Sequence, residues 1–328
     1  MISIVCPVHN EEAAIVPFHD RLTKVIDALD SYEFEIIFTN NRSTDSTMAK
    51  ILELRKRDPR VQLLTFSRNY GYQYSIYAGL KQASGAAMLI IDVDCEDPPE
   101  MISEFVREWE NGFDIVYGER DKRVEPALVT LCRKIFYRLN RVVSDSDIIL
   151  DMAEFALITA EVRDAVVASS STYPFVRAEI AHYGFERKGI RYDRQARLIG
   201  QSHYNLIGMT KFAIGGILSS TTFPLRVTMY LLPFVLLWTA LCWVGSAVFD
   251  SRHAFEALVA VDLAYLATAV AFASLYIART YRNITARPLV VVDWTRSATN
   301  RPREESCAEA RRDLKEHRKA ACIIIRAR

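Results

Sequence analysis

Ala87-Met-Leu-Ile-Ile-Asp92-Val-Asp94-Cys-Glu96-Asp-Pro-Pro-Glu100 is the stretch from which the fold can be read. Its five leading apolar residues have the length of a buried strand rather than of a helix. Acidic side chains then crowd a short turn, and Pro98-Pro99-Glu100 opens a helix, because proline is tolerated in a first helical turn. The unit is therefore a strand over 86–92, an acidic turn, and a helix over 99–109. The same unit recurs upstream, with apolar runs at 2–7, 35–39 and 61–66 followed by helical spacing over 12–29, 44–56 and 73–83, and one more strand reads over 113–117. Repeated strand-helix units predict an α/β domain whose mainly parallel sheet is covered on both faces.

In such a domain ligands sit beyond the carboxyl ends of the strands. That directs attention to Asn10-Glu11-Glu12, Asn40-Asn41-Arg42-Ser43, Ser67-Arg68-Asn69 and Asp92-Val93-Asp94. Asp92 and Asp94 lie two apart, so an extended backbone would turn both to one side. Carboxylates converging at a strand end repel unless a cation joins them, and a hard divalent ion shared with phosphate oxygens fits. Taken alone, a D-x-D tripeptide reads equally well as solvated loop acids. Its place after a fourth strand favours the site.

The 328 residues carry 41 basic and 40 acidic side chains, a net charge of +1 that speaks against a nucleic-acid binder. The balance is uneven. Residues 296–328 hold ten basic and five acidic side chains, a net +5, leaving −4 for the rest. Six scattered cysteines show no C-x-x-C spacing, which suits neither a zinc site nor a disulfide framework and reads as thiols in a reducing compartment. The chain opens directly on a strand pattern with no signal-peptide signature, so the N-terminal domain is expected to stay cytosolic.

Residues 227–249 contain no charge, and 257–278 only Asp262. At ~1.5 Å per residue each can cross a ~30 Å hydrocarbon core, so the pair predicts a transmembrane hairpin. Lys211 and Arg226 precede it and Arg279, Arg282 and Arg287 follow it, against Arg252 in the turn, which places both ends in the cytoplasm by the positive-inside rule. Asp262 is expected to face headgroups or the other helix. The expected organisation is a cytosolic domain over 1–204, an interfacial amphipathic helix over 205–225, a hairpin over 226–279 and a basic cytosolic tail over 280–328, bound to anionic lipid or simply solvated.

Several segments together resemble a known family. Cys6-Pro-Val-His-Asn-Glu-Glu12 is similar to the P-x-Y-N-E-E opening of family 2 glycosyltransferases with the GT-A (Rossmann-like) fold, and Asn40–Thr47 resembles their D-D-G-S-T-D-x-T loop. Asp92–Glu100 resembles D-A-D-L-Q-D-P-P-E, and Ser67-Arg-Asn-Tyr-Gly71 the S-R-N-F-G of the polyprenyl-phosphate branch. Tyr117–Arg120, Arg197–Tyr204, Thr222–Arg226 and Tyr276–Val292 continue the likeness in order.

The resemblance implies an enzyme like bactoprenol glucosyltransferase or dolichyl-phosphate mannose synthase, moving a sugar with inversion from a UDP- or GDP-linked donor to a polyprenyl phosphate at the plasma membrane. It implies Pro7, His9, Asn10, Glu11, Asn40, Asn41, Arg68 and Asp92 at the nucleotide. Mg²⁺ or Mn²⁺ would be held by Asp92, Asp94 and Glu96, and Asp94, Asp151 and Glu154 would stand at the reaction centre, although Asp151 reads equally as a helix cap. Arg120, Arg133, Lys134, Arg197, Gln201 and His203 are the candidates for holding the acceptor phosphate. Asn40, Asn41, Ala156, Gln201 and His203 depart from the family residues Asp, Asp, Arg, Glu and Lys. A scaffold that binds nucleotide or lipid without turnover, or a transferase using another lipid acceptor, are the rival readings. Two copies could pair through their membrane or interfacial helices.

Overall fold

The structure, a computed structural model, describes residues 1–120, 152–169, 171–172, 174–195, 221–249, 252–285 and 287–300. Four strand-helix units come first. They are β1 (Ile2–Val8) and α1 (Ile15–Ile26), β2 (Phe34–Asn40) and α2 (Thr47–Arg57), β3 (Val61–Thr65) and α3 (Tyr72–Gln82), then β4 (Ala87–Ile90) and, through a 3-10 turn at Pro99–Met101, α4 (Ile102–Glu110). Next come β5 (Ile115–Arg120), β6 (Met152–Thr159), α5 (Ala160–Ala168), α6 (Val176–His182) and β7 (Arg187–Tyr192). Two long helices follow, α7 (Phe223–Phe249) and α8 (Arg252–Thr285).

The seven strands form one sheet in the order β3-β2-β1-β4-β6-β5-β7. Only β6 runs against the rest, pairing antiparallel with both β4 and β5. The expected mainly parallel α/β domain is thus the one observed. β1 to β4 are buried along their whole length, as befits strands covered on both faces. The chain leaves β1 towards β2 and returns on its other side as β4, which puts the topological switch, and hence the ligand crevice, between β1 and β4.

Helix α3 lies unusually close to this sheet. A methyl group on Gly79 would overlap Val5 Cγ1 and stand 3.1 Å from Thr39 Cγ2, so glycine is what allows the contact.

The free edge of β3 is closed by chain that follows the long helices. Leu63 and Ala298 exchange backbone hydrogen bonds of 2.8 Å in each direction, and Phe66 bridges Val292. Val290, Val292 and Trp294 pack on Leu64, Phe66 and Ala78. An edge strand left open exposes a row of unpaired N–H and C=O groups, and this strap satisfies them. The opposite edge, β7, instead presents exposed Arg187, Lys188 and Arg191.

The expected boundaries change accordingly. The second long helix runs to Thr285, and residues 290–300 belong to the sheet's edge rather than to a tail beginning at 280. Residues 223–225 already belong to α7, whose start is capped by Thr221 Oγ1 accepting from Phe223 N at 3.0 Å, rather than to an interfacial helix. The remainder of that interfacial segment, 205–220, and the tail from 301 lie outside the described residues.

Helices α7 and α8 are each long and apolar enough to cross a membrane, over Phe223–Val248 and Phe255–Thr285. Their large apolar side chains are exposed, Phe234 and Trp243 among them. An apolar surface of that extent is not sustained in water. Tyr276 OH donates to Thr221 O (2.8 Å), Tyr265 OH to Thr228 O (3.0 Å) and Thr239 Oγ1 to Asp262 Oδ1 (2.8 Å), joining the helices at three levels. Asp262 therefore takes the inter-helix position. The end of α8 meets the domain, since Asn283 Oδ1 accepts from Thr172 N (3.1 Å) and Oγ1 (2.7 Å).

Gly79→Ala is expected to destabilise the protein. Overpacking of about 1–3 kcal/mol outweighs the helix propensity gain of about 1 kcal/mol. The thermal midpoint in detergent should fall by several degrees; an unchanged or raised midpoint would show that α3 can lift off the sheet without loss.

Candidate active site

The loops after β1, β2 and β3 are knitted into one wall. Asn10 and Arg42 adopt left-handed backbone (φ 56° and 61°), which turns each loop sharply at its strand end. Asn10 N donates to Ser43 Oγ (3.0 Å), and Asn10 Oδ1 accepts from Thr44 N (2.8 Å). Glu11 N donates to Thr47 Oγ1 at 2.9 Å. His9 Nδ1 lies 3.1 Å from Asn41 O, and its Nε2 3.2 Å from Asn69 Nδ2. Pro7 lies in β1, paired in register with Thr39 of β2.

Asn40 and Asn41 act on the protein itself. Asn40 Oδ1 accepts from Ser43 N at 2.9 Å. Asn41 donates from Nδ2 to Asn69 Oδ1 (2.8 Å) and accepts at Oδ1 from Tyr70 N (2.8 Å), so both ends of its amide are engaged. The two asparagines therefore build the loop. The Arg68 guanidinium lies over the Tyr70 ring at 4.0 Å from its centroid.

The acidic turn after β4 departs from the extended geometry expected of it. The strand stops at Ile90, and Val93 to Asp97 form a turn through Cys95 at φ 57°. Asp94 Oδ1 accepts from Glu96 N at 3.1 Å, an Asx-type bond that closes the turn. Asp92 and Asp94 remain electrostatic neighbours. The Asp92 carboxyl is pushed up from 3.8 to about 7, first by burial, then by the nearby charges of Asp94 and Asp97. Tyr72 OH opposes this by donating to Asp92 Oδ1 at 2.7 Å.

Glu96 does not join the pair. Its carboxylate forms an ion pair with Arg194, and among the described residues no three His, Cys, Asp or Glu side chains gather as a metal cluster. The third ligand expected at Glu96 is thus turned aside by a charge that follows β7, three strands from β4 in the sheet. Two converging carboxylates, one held short of full ionisation by crowding, still fit a divalent cation that takes its other ligands from phosphate and water.

Asp97 was not singled out by sequence. It is 1% exposed and forms the most enclosed ion pair of the site, with Arg120 Nη2 3.1 Å from Oδ2 and Tyr192 OH bonded to Oδ1. Arg120 Nε also donates to Tyr192 OH at 3.2 Å. The acceptor-phosphate role expected of Arg120 is therefore not the one its contacts describe: the guanidinium is neutralised from within and ties β5 and β7 to the acidic turn. Glu154, on β6, accepts from Gln73 Nε2 at 2.9 Å and faces the same strand ends. Asp151, Arg133, Lys134, Arg197, Gln201 and His203 lie outside the described residues. Burial raises the Cys6 thiol well above its ordinary range, with Asp92 adding to the effect, so thiolate chemistry is closed to it.

A raised carboxyl pKa means that the folded chain binds this proton more tightly than the unfolded chain. The contribution of Asp92 is then complete below about pH 4 and lost as pH rises through about 7. In EDTA-treated protein the unfolding midpoint should fall between about pH 4 and 7 more steeply in the native sequence than in Asp92→Asn. Parallel midpoint curves would show that Asp92 is not strained by its neighbours.

Residues 3–146 match the family described as Glycosyl transferase family 2. An uncharacterized glycosyltransferase, YkcC, of Bacillus subtilis is 33% identical over 304 residues, covering 88% of this chain and 92% of its own. The SfII prophage-derived bactoprenol glucosyl transferase of Shigella flexneri is 32% identical over 300 residues, covering 89% and 97%. A glucosyl-3-phosphoglycerate synthase from Mycobacterium tuberculosis, solved with Mn²⁺, UDP and glucosyl-3-phosphoglycerate, overlaps 65% of this chain and 76% of its own at 17% identity and a TM-score of 0.46, too partial an overlap to carry anything about ligands. The sequence match along nearly the whole of these relatives, joined to a mainly parallel sheet with its acids at the switch point, makes this chain a member of glycosyl transferase family 2.

Proposed function

We propose that this glycosyltransferase moves a sugar, with inversion, from a nucleoside-diphosphate donor to a polyprenyl phosphate at a membrane surface. The observation that carries the reading is the crowded Asp92/Asp94 pair at the end of β4, in a domain bonded to the end of α8, one of two exposed apolar helices. The relatives named bactoprenol glucosyl transferase support the choice of acceptor.

An acceptor phosphate oxygen is already anionic near neutral pH and needs no strong base. It would attack the anomeric carbon from the face opposite the diphosphate. The carbon–oxygen bond to the diphosphate breaks as the new bond forms, and the electron pair leaves with the nucleotide. Asp92 and Asp94 would hold a divalent cation, Mg²⁺ or Mn²⁺, which when bound supplies positive charge for the departing diphosphate.

The wall made by His9, Asn10, Glu11, Asn40, Asn41 and Arg68 would seat the nucleotide, with Pro7 in the strand beneath it. Glu154 would orient a sugar or acceptor hydroxyl, a role in which Asp151 is the second candidate. Arg197, Gln201 and His203 are assigned to the acceptor phosphate by their motif positions, and Arg133 and Lys134 by their charge. The basic residues flanking the hairpin favour the cytoplasmic face of the plasma membrane for the domain and for both hairpin ends.

Membranes carrying the protein, supplied with Mg²⁺ or Mn²⁺ and undecaprenyl phosphate, should transfer label from one member of a panel of UDP- and GDP-sugars to lipid. Asp94→Asn should reduce that transfer by at least about a hundredfold, the scale of losing a principal electrostatic stabiliser. No transfer from any donor would favour a nucleotide- or lipid-binding scaffold instead. Transfer to another lipid with none to undecaprenyl phosphate would reassign the acceptor.

A further inference from the structure

Two candidate carboxylates of the site are held by consecutive residues of one helix. Gly71, at φ 104°, turns the chain into α3 in a conformation that a side chain would strain. The first two helical residues then face the site: Tyr72 OH donates to Asp92 Oδ1 at 2.7 Å, and Gln73 Nε2 to Glu154 Oε1 at 2.9 Å. The orientation of the Gln73 amide is not arbitrary. Its Oε1 accepts from Val176 N at 2.9 Å, and a backbone N–H can only donate, so the NH₂ end must face Glu154. Gln73 is buried, which makes an unpaired end of that amide costly and locks the arrangement.

We propose that Tyr72 and Gln73 are positioning residues for the transfer reaction, Tyr72 aiming Asp92 at the cation and Gln73 aiming Glu154 at the substrate hydroxyl. The inference rests on the roles given to Asp92 and Glu154 under Proposed function. Neither residue touches the reacting atoms; each removes one oxygen of a carboxylate from free rotation and leaves the other to act. Because both sit on the first turn of α3, the distance between the two carboxylates is set by a single rigid element. Partners of this kind change affinity or rate about 10- to 100-fold when removed.

Full-length protein in detergent tests this. Gln73→Met should lower kcat about 10- to 100-fold with donor KM within about twofold, alongside a lower unfolding midpoint from the unpaired Val176 N–H. Gln73→Glu keeps the acceptor for Val176 N but loses the donor to Glu154, so its kcat should fall at least as far. On a Glu154→Gln background, Gln73→Met should cost less than about twofold more, because residues acting as a unit are not additive. Tyr72→Phe should raise the Mn²⁺ concentration for half-saturation about tenfold, read by electron paramagnetic resonance with UDP and without acceptor lipid. Equal losses from Gln73→Met in both backgrounds, or unchanged kcat with unchanged Mn²⁺ binding, overturn the inference. A Glu154→Gln enzyme with native turnover would instead remove Glu154 from the proposed mechanism, and the part of Gln73 with it.

Discussion

Four carboxylates meet at the carboxyl end of β4, and the domain is organised by the need to keep them there. Asp92, Asp94, Asp97 and Glu154 lie close enough that three of them push the Asp92 carboxyl upward. Each is answered differently. Asp97 receives a full countercharge from Arg120 and a hydroxyl from Tyr192, while Asp94 receives the backbone N–H of Glu96. Among the described residues, Asp92 and Glu154 receive neutral donors, Tyr72 and Gln73. Countercharge is thus given, among the described residues, to Asp97, which holds the turn, and not to Asp92 or Glu154. A carboxylate neutralised by arginine would have little left to offer a cation or a hydroxyl.

The same helix connects this cluster to the membrane helices. Tyr74, next to Gln73, donates to Thr172 O at 2.8 Å, and Thr172 in turn bonds Asn283 near the end of α8. On the other side of the domain the strap closes β3 beside the β2 loop, where Arg42 lies 3.5 Å from Asp293. The hairpin's second helix is therefore fastened to the domain at its end, and the chain after it returns beside the β2 loop.

Much of this was legible in advance because local rules govern it. The strand-helix alternation reflects burial on two sheet faces, and the apolar lengths of 227–249 and 257–278 mark the long helices, although α8 continues past the apolar stretch through Arg279 and Arg282. The acidic turn was visible as composition. Its internal assignments were not. Glu96 was expected beside Asp92 and Asp94, yet Arg194, about a hundred residues later, draws it away. Arg120 looked like a phosphate clamp until Asp97 and Tyr192 were seen to enclose it. Tyr72 and Gln73 carry no signal in isolation, since a tyrosine and a glutamine at a helix start are ordinary surface residues.

The sequence by itself determined the mainly parallel α/β class, the two long apolar helices and the strand ends at which the acidic residues gather. Each follows from periodicity and apolar run length, which depend on neighbours along the chain. Tertiary structure alone decided which acid is paired with an arginine and which with a neutral donor, and that the chain after the hairpin returns to close the sheet. Those outcomes depend on pairings between residues tens to hundreds of positions apart. A charge or an open strand edge states what it needs; only the folded chain shows what answers it.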